Sequence, residues 1–168
     1  LSKSSMSMKK VILMTSLLLV MLIYGANAVE QLAVLDPPSI SPVENGNGLI
    51  TSSFGLRLHP IKKVQKMHKG CDFKVPLGTP IYATSDGVVE IAENREKGYG
   101  KLIKIRHDES YQTMYAHLSD FNVKKGDEVK KGDIIGYSGN SGKSIHPHLH
   151  YEVRKNGEAI DPSPFLKP

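Results

Sequence analysis

The distribution of apolar residues predicts a domain that is built from short β-strands. From residue 49 onward, β-branched or alternating apolar runs are separated by Gly and Asp, and no long stretch has the 3.6-residue period of an amphipathic helix. The predicted strands are residues 80–84, 88–92, 101–107, 111–118, 134–137 and 148–154. The pattern therefore predicts a mainly β, antiparallel domain.

Two tripeptides between these runs have the composition of tight hairpin turns. Residues 85–87 and 155–157 both end in Gly, which accepts the positive φ that such turns require. Residues 75–81 and 123–129 also share the pattern V-x-x-G-x-x-[IV], which is a weak internal repeat. We therefore expect two related half-motifs that face each other.

The first 28 residues have the pattern of a secretory signal peptide. Lys9 and Lys10 precede the apolar residues 11–23, and residues 25–28 form a small-x-small ending. This apolar run is shorter than the roughly twenty residues that span a bilayer, so membrane contact is expected only through the uncleaved signal segment. We expect cleavage after Ala28 and export to the periplasm or the extracellular space.

The composition of residues 29–168 separates a linker from a domain and excludes some classes of partner. Residues 29–48 are rich in Pro and Gly and predict a linker, which leaves residues 49–168 as the domain. One Cys excludes an internal disulfide framework and a Cys-rich zinc finger. Three of the 22 basic residues lie in the signal segment, so 19 basic residues face 17 acidic ones and no nucleic-acid partner is expected.

The seven histidines include four that predict a site, together with one aspartate. His148 and His150 are alternate residues of a predicted strand, so they share a face, while Leu149 points to the core. His68 and Asp72 align if their segment is extended, and they also align if it is helical. Two imidazoles and one carboxylate are typical of a catalytic zinc site with an open fourth position. One His of the 148/150 pair is left over, and with His117 it can transfer protons.

These motifs resemble those of the lysostaphin-type (LytM-like) zinc metallopeptidases, which cut peptide cross-bridges in bacterial cell walls. The resemblance extends over residues 50–162 and is carried by residues 50–60, 68–72, 78–83, 115–118 and 147–154. It implies a duplicated, antiparallel two-sheet domain with an open groove. It also implies one zinc ion per chain and peptidoglycan as the substrate.

The resemblance assigns roles to the site residues. It implies that His68, Asp72 and His150 hold the zinc and that His117 and His148 are catalytic. The implied reaction is metal-assisted amide hydrolysis, in which one of these two histidines takes the proton of the attacking water. We favour His148 as that base because it shares a strand with His150. Glycyl bridges and cross-links that contain D-Ala both fit such a groove.

Two other functions are compatible with parts of the sequence. The first is a catalytically latent LytM-like module that regulates another enzyme or binds the wall. The second is a biotinyl or lipoyl carrier domain, whose turn signature residues 124–136 resemble. A carrier domain needs a Lys at a hairpin tip, and residues 85–87 contain none.

Several residues near the motifs have simpler interpretations. Cys71 is expected to point into the core by alternation from Asp72, and His146 is expected to be an exposed loop residue. Tyr115 is predicted to share the face of His117. Glu152 is interpreted as a partner of the ligands or as an exposed residue, and His59 and His107 as polar residues of groove walls or loops.

Overall fold

The computed structural model describes residues 37–44, 50–58 and 64–167. Within them it contains twelve strands and one short 3-10 helix at Ser163–Phe165. The strands are β1 (Ile50–Ser52), β2 (Gly55–Leu58), β3 (Gln65–His68), β4 (Cys71–Phe73), β5 (Pro80–Tyr82), β6 (Gly87–Asn94), β7 (Lys101–Arg106), β8 (Tyr111–Phe121), β9 (Glu128–Val129), β10 (Ile134–Ser138), β11 (Leu149–Lys155) and β12 (Glu158–Ile160).

Ten of the strands form one antiparallel sheet. Its central order is β1-β4-β11-β8-β7-β6-β9, and β12 pairs with β11. The long strand β8 contacts β7 and β11 along most of its length, and its last residues pair with β10, which also pairs with β5. β2 and β3 form a separate two-stranded sheet. The prediction of a mainly β, antiparallel domain with two sheets is confirmed.

The core lies against one face of the large sheet. Leu149, Tyr151 and Val153 of β11 are fully buried there, as the alternation of the strand predicted. Cys71 is 2% exposed and packs in the same core, which confirms that its thiol points away from Asp72. The opposite face of these central strands therefore remains for polar side chains.

Of the two predicted hairpin turns, the structure contains one. Asn156 (φ 52°) and Gly157 (φ 82°) connect β11 to β12, with the two successive positive φ angles of a type I′ turn. The prediction at residues 85–87 is wrong, because β5 pairs with β10, whereas β6 pairs with β7 and β9. Those residues form a bend that carries the chain from one part of the sheet to another.

Part of the segment predicted as a linker packs against the domain. Val43 is 1% exposed within the core. Main-chain hydrogen bonds join Ser39 N to Thr84 O at 3.0 Å and Tyr82 N to Pro42 O at 2.9 Å. The domain boundary at residue 49 remains a prediction, and the expected signal peptide lies outside the described residues. Among the residues that are described, no helix has the length and apolarity needed to cross a membrane.

His107 lies between β7 and β8 and is fully buried, so it is more enclosed than the interpretation as a loop or groove-wall residue implied. Its Nδ1 lies 2.6 Å from the carbonyl oxygen of Asp86 and its Nε2 lies 2.8 Å from the hydroxyl of Thr113. Burial lowers the pKa of His107 and outweighs the hydrogen bond to Asp86, which raises it. His107 is therefore neutral in the folded protein at neutral pH.

This neutral histidine predicts that the domain loses stability in mild acid. Because the folded-state pKa of His107 lies below its unfolded value near 6.5, the unfolded chain binds the proton more readily. The stability is present above about pH 6.5 and falls below it, by up to about 1.4 kcal/mol per pH unit. Urea unfolding of the zinc-saturated protein between pH 5 and pH 7.5 measures this slope.

The matched variant for this measurement is His107→Asn, whose amide keeps a donor for the Asp86 carbonyl. We expect the variant to be less stable at pH 7.5 but to lose less stability than the wild type on acidification. Equal slopes for the two proteins would show that other groups cause the pH dependence.

Candidate metal centre

Three strands bring His68, Asp72 and His150 together. His68 ends β3, Asp72 is the middle residue of β4, and the β4–β11 register places His150 directly opposite Asp72. The chain turns between β3 and β4 at Gly70, where an added Cβ would lie 2.1 Å from the Tyr151 carbonyl oxygen. His68 and Asp72 are thus joined by a corner that requires glycine, with extended chain on both sides, and not by a helix.

One nitrogen of each imidazole points to the Asp72 carboxylate. Asp72 Oδ1 lies 3.1 Å from His68 Nε2 and 2.8 Å from His150 Nδ1, and these two nitrogens are 3.1 Å apart. A zinc ion with four ligands at about 2.0–2.1 Å separates neighbouring ligand atoms by about 3.3–3.4 Å. The three donor atoms are therefore spaced closely enough to bind one ion together.

The other nitrogen of each ring is bound to an acceptor, and this fixes the tautomers. His68 Nδ1 donates to the Ser53 carbonyl at 2.8 Å, and His150 Nε2 donates to Glu152 Oε1 at 3.2 Å. In the neutral rings, His68 Nε2 and His150 Nδ1 are then lone pairs that face a carboxylate. Three converging lone pairs need a cation between them, and two nitrogens with one oxygen suit zinc.

The carboxylate of Asp72 is ionised in this environment. Burial raises the pKa of Asp72, but the interactions of its carboxylate with the imidazoles of His150 and His68 outweigh burial and lower that pKa below its usual range. Asp72 is therefore negatively charged at neutral pH. With both imidazoles in their neutral form, the carboxylate and the two rings match the ligand preference of a divalent ion.

His117 joins the site through an irregularity in β8. Its φ is 62°, which is uncommon for a residue other than glycine, and the β7–β8 register shifts by one residue beside it. Its main-chain N–H donates to Tyr99 O at 2.9 Å, and its Nδ1 donates to Ser141 O at 2.8 Å. Burial lowers the pKa of His117 to about 4, so the ring is neutral with its lone pair at Nε2.

The same irregularity separates His117 from Tyr115, so the prediction that they share a face is wrong. Tyr115 is fully buried in the core, and its hydroxyl lies 3.0 Å from the hydroxyl of Thr84. The extra residue of the bulge reverses the alternation and turns His117 to the polar face. A constant period of two along β8 had placed both residues on one side.

His148 lies beside His117, immediately before β11. Its Nδ1 donates to the carbonyl of His146 at 2.8 Å, and its Nε2 lies 4.0 Å from Asp72 Oδ1. The ring centroids of His148 and His117 are 4.7 Å apart. His146 itself is exposed, as the sequence predicted, and it contributes its carbonyl. The structure thus gathers all five residues that the sequence singled out.

The sequence profile of Peptidase family M23 matches residues 66–162, which contain all five of these residues. The chain belongs to peptidase family M23. The DD-carboxypeptidase/endopeptidase Mpg of Neisseria meningitidis serogroup B is 45% identical to this M23 chain over 113 residues, which is 67% of the chain. The peptidoglycan DD-endopeptidase ShyA of Vibrio cholerae is 44% identical over the same share. The chain spans 26% of the length of each of these relatives.

Solved M23 structures share the fold. The catalytic domain of lysostaphin from Staphylococcus simulans has a TM-score of 0.65 at 38% identity and covers 73% of this chain and 95% of that domain. A zinc containing peptidase from Vibrio cholerae has a TM-score of 0.69 at 36% identity, over 75% of this chain and 39% of that one. The predicted family, fold and zinc cofactor are confirmed, and the carrier-domain alternative is excluded.

Glu152 binds the nitrogen of His150 that points away from the candidate centre. It is fully buried, and besides His150 its carboxylate accepts hydrogen bonds from Tyr99 Oη at 2.7 Å and from Arg154 Nη1 at 2.8 Å. Burial raises the pKa of Glu152, but the hydrogen bonds from His150 and Tyr99 outweigh it and lower that pKa. A charged acceptor holds His150 in the tautomer that presents Nδ1 to the metal. Of its two interpretations, the partner of the ligands is correct.

This contact predicts a loss of zinc affinity in Glu152→Gln. The amide keeps the shape of the side chain but removes the negative charge behind His150, and partners of this kind contribute about 10- to 100-fold to metal affinity. We expect a loss of that size, measured by competition with a chromophoric chelator.

Tyr99→Phe is the matched control for this measurement. It removes one hydrogen bond to the same carboxylate and leaves the charge, so the expected loss of affinity is smaller than in Glu152→Gln. An unchanged zinc affinity in Glu152→Gln would mean that this carboxylate serves only the packing of the sheet.

Proposed function

We propose that this chain is a zinc-dependent endopeptidase that hydrolyses amide bonds in the peptide cross-links of peptidoglycan. The observation that carries the proposal is the convergence of three metal donor atoms beside two further histidines, each anchored through Nδ1 to a main-chain carbonyl. Peptidases that the chain resembles are named for the same reaction, a peptidoglycan DD-endopeptidase among them. Both features support amide hydrolysis over a purely structural metal site.

In this proposal His68, Asp72 and His150 hold the zinc ion. When bound, zinc polarises the scissile carbonyl and lowers the pKa of a nearby water molecule towards about 7. The Ser53 carbonyl holds the ring of His68 in place, and the Glu152 carboxylate holds that of His150. The ligand atoms are therefore oriented before the substrate arrives, which reduces the reorganisation that the reaction requires.

The two further histidines handle the protons. We assign the first proton transfer to His148, which takes the proton of the attacking water at Nε2 while its Nδ1–H stays on the His146 carbonyl. His117, whose Nε2 is a free lone pair, accepts this proton from His148 and gives it to the leaving nitrogen as the C–N bond breaks. The carbonyls of Ser141 and His146 hold the two rings in the same tautomer. One loop, residues 141–146, therefore sets the orientation of both groups.

We further propose the organisation and destination that the sequence predicts. Residues 1–28 form a signal peptide, residues 29–48 form a linker, part of which packs on the domain, and residues 49–168 form the peptidase domain. The protein is exported and acts in the periplasm or at the cell wall. Amino-terminal sequencing of the protein recovered from the cell envelope should find Val29 as the first residue.

The activity is tested by incubating the purified chain, with zinc and with a chelator, with isolated peptidoglycan. We expect zinc-dependent release of fragments cut in their cross-links, identified by mass spectrometry. Walls with glycyl bridges and walls with direct D-Ala cross-links are compared in parallel. A zinc-loaded protein that binds walls and releases nothing from either would replace the enzyme with the latent regulatory module.

A further inference from the structure

Two cationic residues lie on the paired strands β2 and β3, beside the candidate metal centre. Arg57 of β2 and Lys66 of β3 lie directly opposite each other in the strand register. Because side chains alternate along a strand, Lys66 shares its face with His68 two residues later. Both cationic residues are exposed, with 51% of the Arg57 side chain accessible. The wall beside the ligands thus carries two adjacent positive charges.

The stability of the fold does not account for this pair of charges. Like charges that lie directly opposite across two strands repel each other and destabilise the pairing. Within the described part of the chain, Lys66 forms no ion pair, and the ion pair of Arg57 is a long one, 3.8 Å from Nη1 to Asp72 Oδ2. Asp72 is also the carboxylate that the metal requires. An anion between Arg57 and Lys66 would remove the repulsion.

The guanidinium of Arg57 is placed for such an anion. Nη1 donates to the hydroxyl of Ser52 at 2.7 Å, which anchors one side of the group. Among the described residues, none accepts a hydrogen bond from its Nε or Nη2. The planar fork of a guanidinium matches the two oxygens of a carboxylate. This fork lies beside the same Asp72 carboxylate that joins the two metal-binding histidines.

We propose that Arg57, with Lys66 as a second cation, binds a free carboxylate of the substrate next to the scissile amide. This inference rests on the proposed function and narrows its substrate class. It selects cross-links in which the carbon that bears the scissile nitrogen also bears a free carboxylate, as in a bond from D-Ala to an α-amine of a diamino dicarboxylic acid. Bonds inside a glycyl bridge have no free carboxylate at that place, so the enzyme cuts them poorly.

Two synthetic cross-linked peptides test the inference. They are identical except that the carboxyl group beside the scissile nitrogen is free in one and a carboxamide in the other. For the zinc-loaded wild type we expect kcat/KM to favour the free carboxylate by about 10- to 100-fold, the size of a charge-assisted hydrogen-bonded pair. In Arg57→Gln this preference should fall to a few-fold, and in Lys66→Gln it should fall by a smaller amount.

The ratio of the two substrates separates recognition from support of the metal ligand Asp72. If Arg57 only orients Asp72, Arg57→Gln slows both peptides equally and the preference persists, which would overturn the inference. Arg106→Gln is the matched control, because Arg106 is similarly exposed at 46%, pairs with Glu90 and lies on β7. Its preference should equal that of the wild type. Zinc content is measured for every variant.

Binding of the same peptides distinguishes failure of the inference from failure of the proposed function. Each peptide is labelled with a fluorophore, and its Kd for the zinc-loaded protein is measured by anisotropy. If the wild type cuts neither peptide but binds the free carboxylate more tightly, through Arg57, the hydrolytic function fails and the recognition stands. If the wild type cuts both peptides with the same kcat/KM, or binds both with the same Kd, the recognition fails.

Discussion

Asp72→Ala is expected to abolish zinc binding and to lower the hydrolysis of cross-linked peptide by about 1000-fold or more, because a catalytic metal supplies several kcal/mol of transition-state stabilisation. Asp72 Oδ1 is the atom that both His68 Nε2 and His150 Nδ1 face, at 3.1 and 2.8 Å. Its removal leaves two neutral imidazoles with no negative charge between them. Zinc content by elemental mass spectrometry and kcat/KM measure the two losses.

Zinc-dependent stability gives a second measurement of the same change. A ligand that binds only the folded state at 100 times its Kd stabilises that state by about 2.7 kcal/mol, so zinc should raise the Tm of the wild type and leave that of Asp72→Ala unchanged. Asp133→Asn is the control, since this exposed carboxylate caps a turn at Lys130 and should leave zinc binding intact. A full zinc equivalent in active Asp72→Ala would refute the proposed ligand set.

The regular part of β11 shows why so much of this centre was predictable. A strand that is buried on one face repeats every two residues, so Leu149 and Tyr151 in the core place His150 and Glu152 on the opposite face. The spacing in the sequence therefore predicts which side chains converge at the candidate metal centre. Asp72 follows from the same rule, since it alternates with the buried Cys71 and Phe73.

The prediction failed where the backbone leaves this period. The placement of His117, with its positive φ, involves a main-chain hydrogen bond to Tyr99 and a hydrogen bond from its ring to the Ser141 carbonyl, and these residues lie 18 and 24 residues away along the chain. Nothing in the residues around His117 specifies these contacts. The prediction of a hairpin turn at residues 85–87 failed for a similar reason. Packing across the sheet, and not the turn itself, determines which strands pair with β5 and β6.

Glu152 was only partly predictable, because its role depends on burial. The alternation of β11 places it on the face of His150, but it does not show whether solvent reaches it. The structure buries its carboxylate beneath Tyr99 and beside Arg154. Both partners donate hydrogen bonds, which makes a fully buried charge acceptable. The sequence contained one signal of this role. A carboxylate stands two residues after His150, and an arginine follows two residues later.

His117→Ala and His148→Ala are each expected to lower kcat by about 100- to 10,000-fold while zinc binding changes little, since this is the range for groups that transfer protons in the transition state. Neither residue supplies a donor atom to the three-residue cluster, although their rings lie 4.7 Å apart beside it. His146→Ala is the matched control, because it removes an exposed imidazole and keeps the carbonyl that holds His148. Its kcat should stay within about twofold of the wild type, as surface substitutions usually do.

A depsipeptide substrate, in which the scissile amide is replaced by an ester, separates the two roles. An ester leaving group needs less protonation than an amine, so the His117 variant should recover rate on the ester relative to the amide. The His148 variant should not, because the attacking water still has to lose its proton. If only His148→Ala recovered on the ester, the roles would be exchanged and His117 would be the base. Its neutral ring, held through Nδ1 on the Ser141 carbonyl, has the free Nε2 lone pair that this exchange requires.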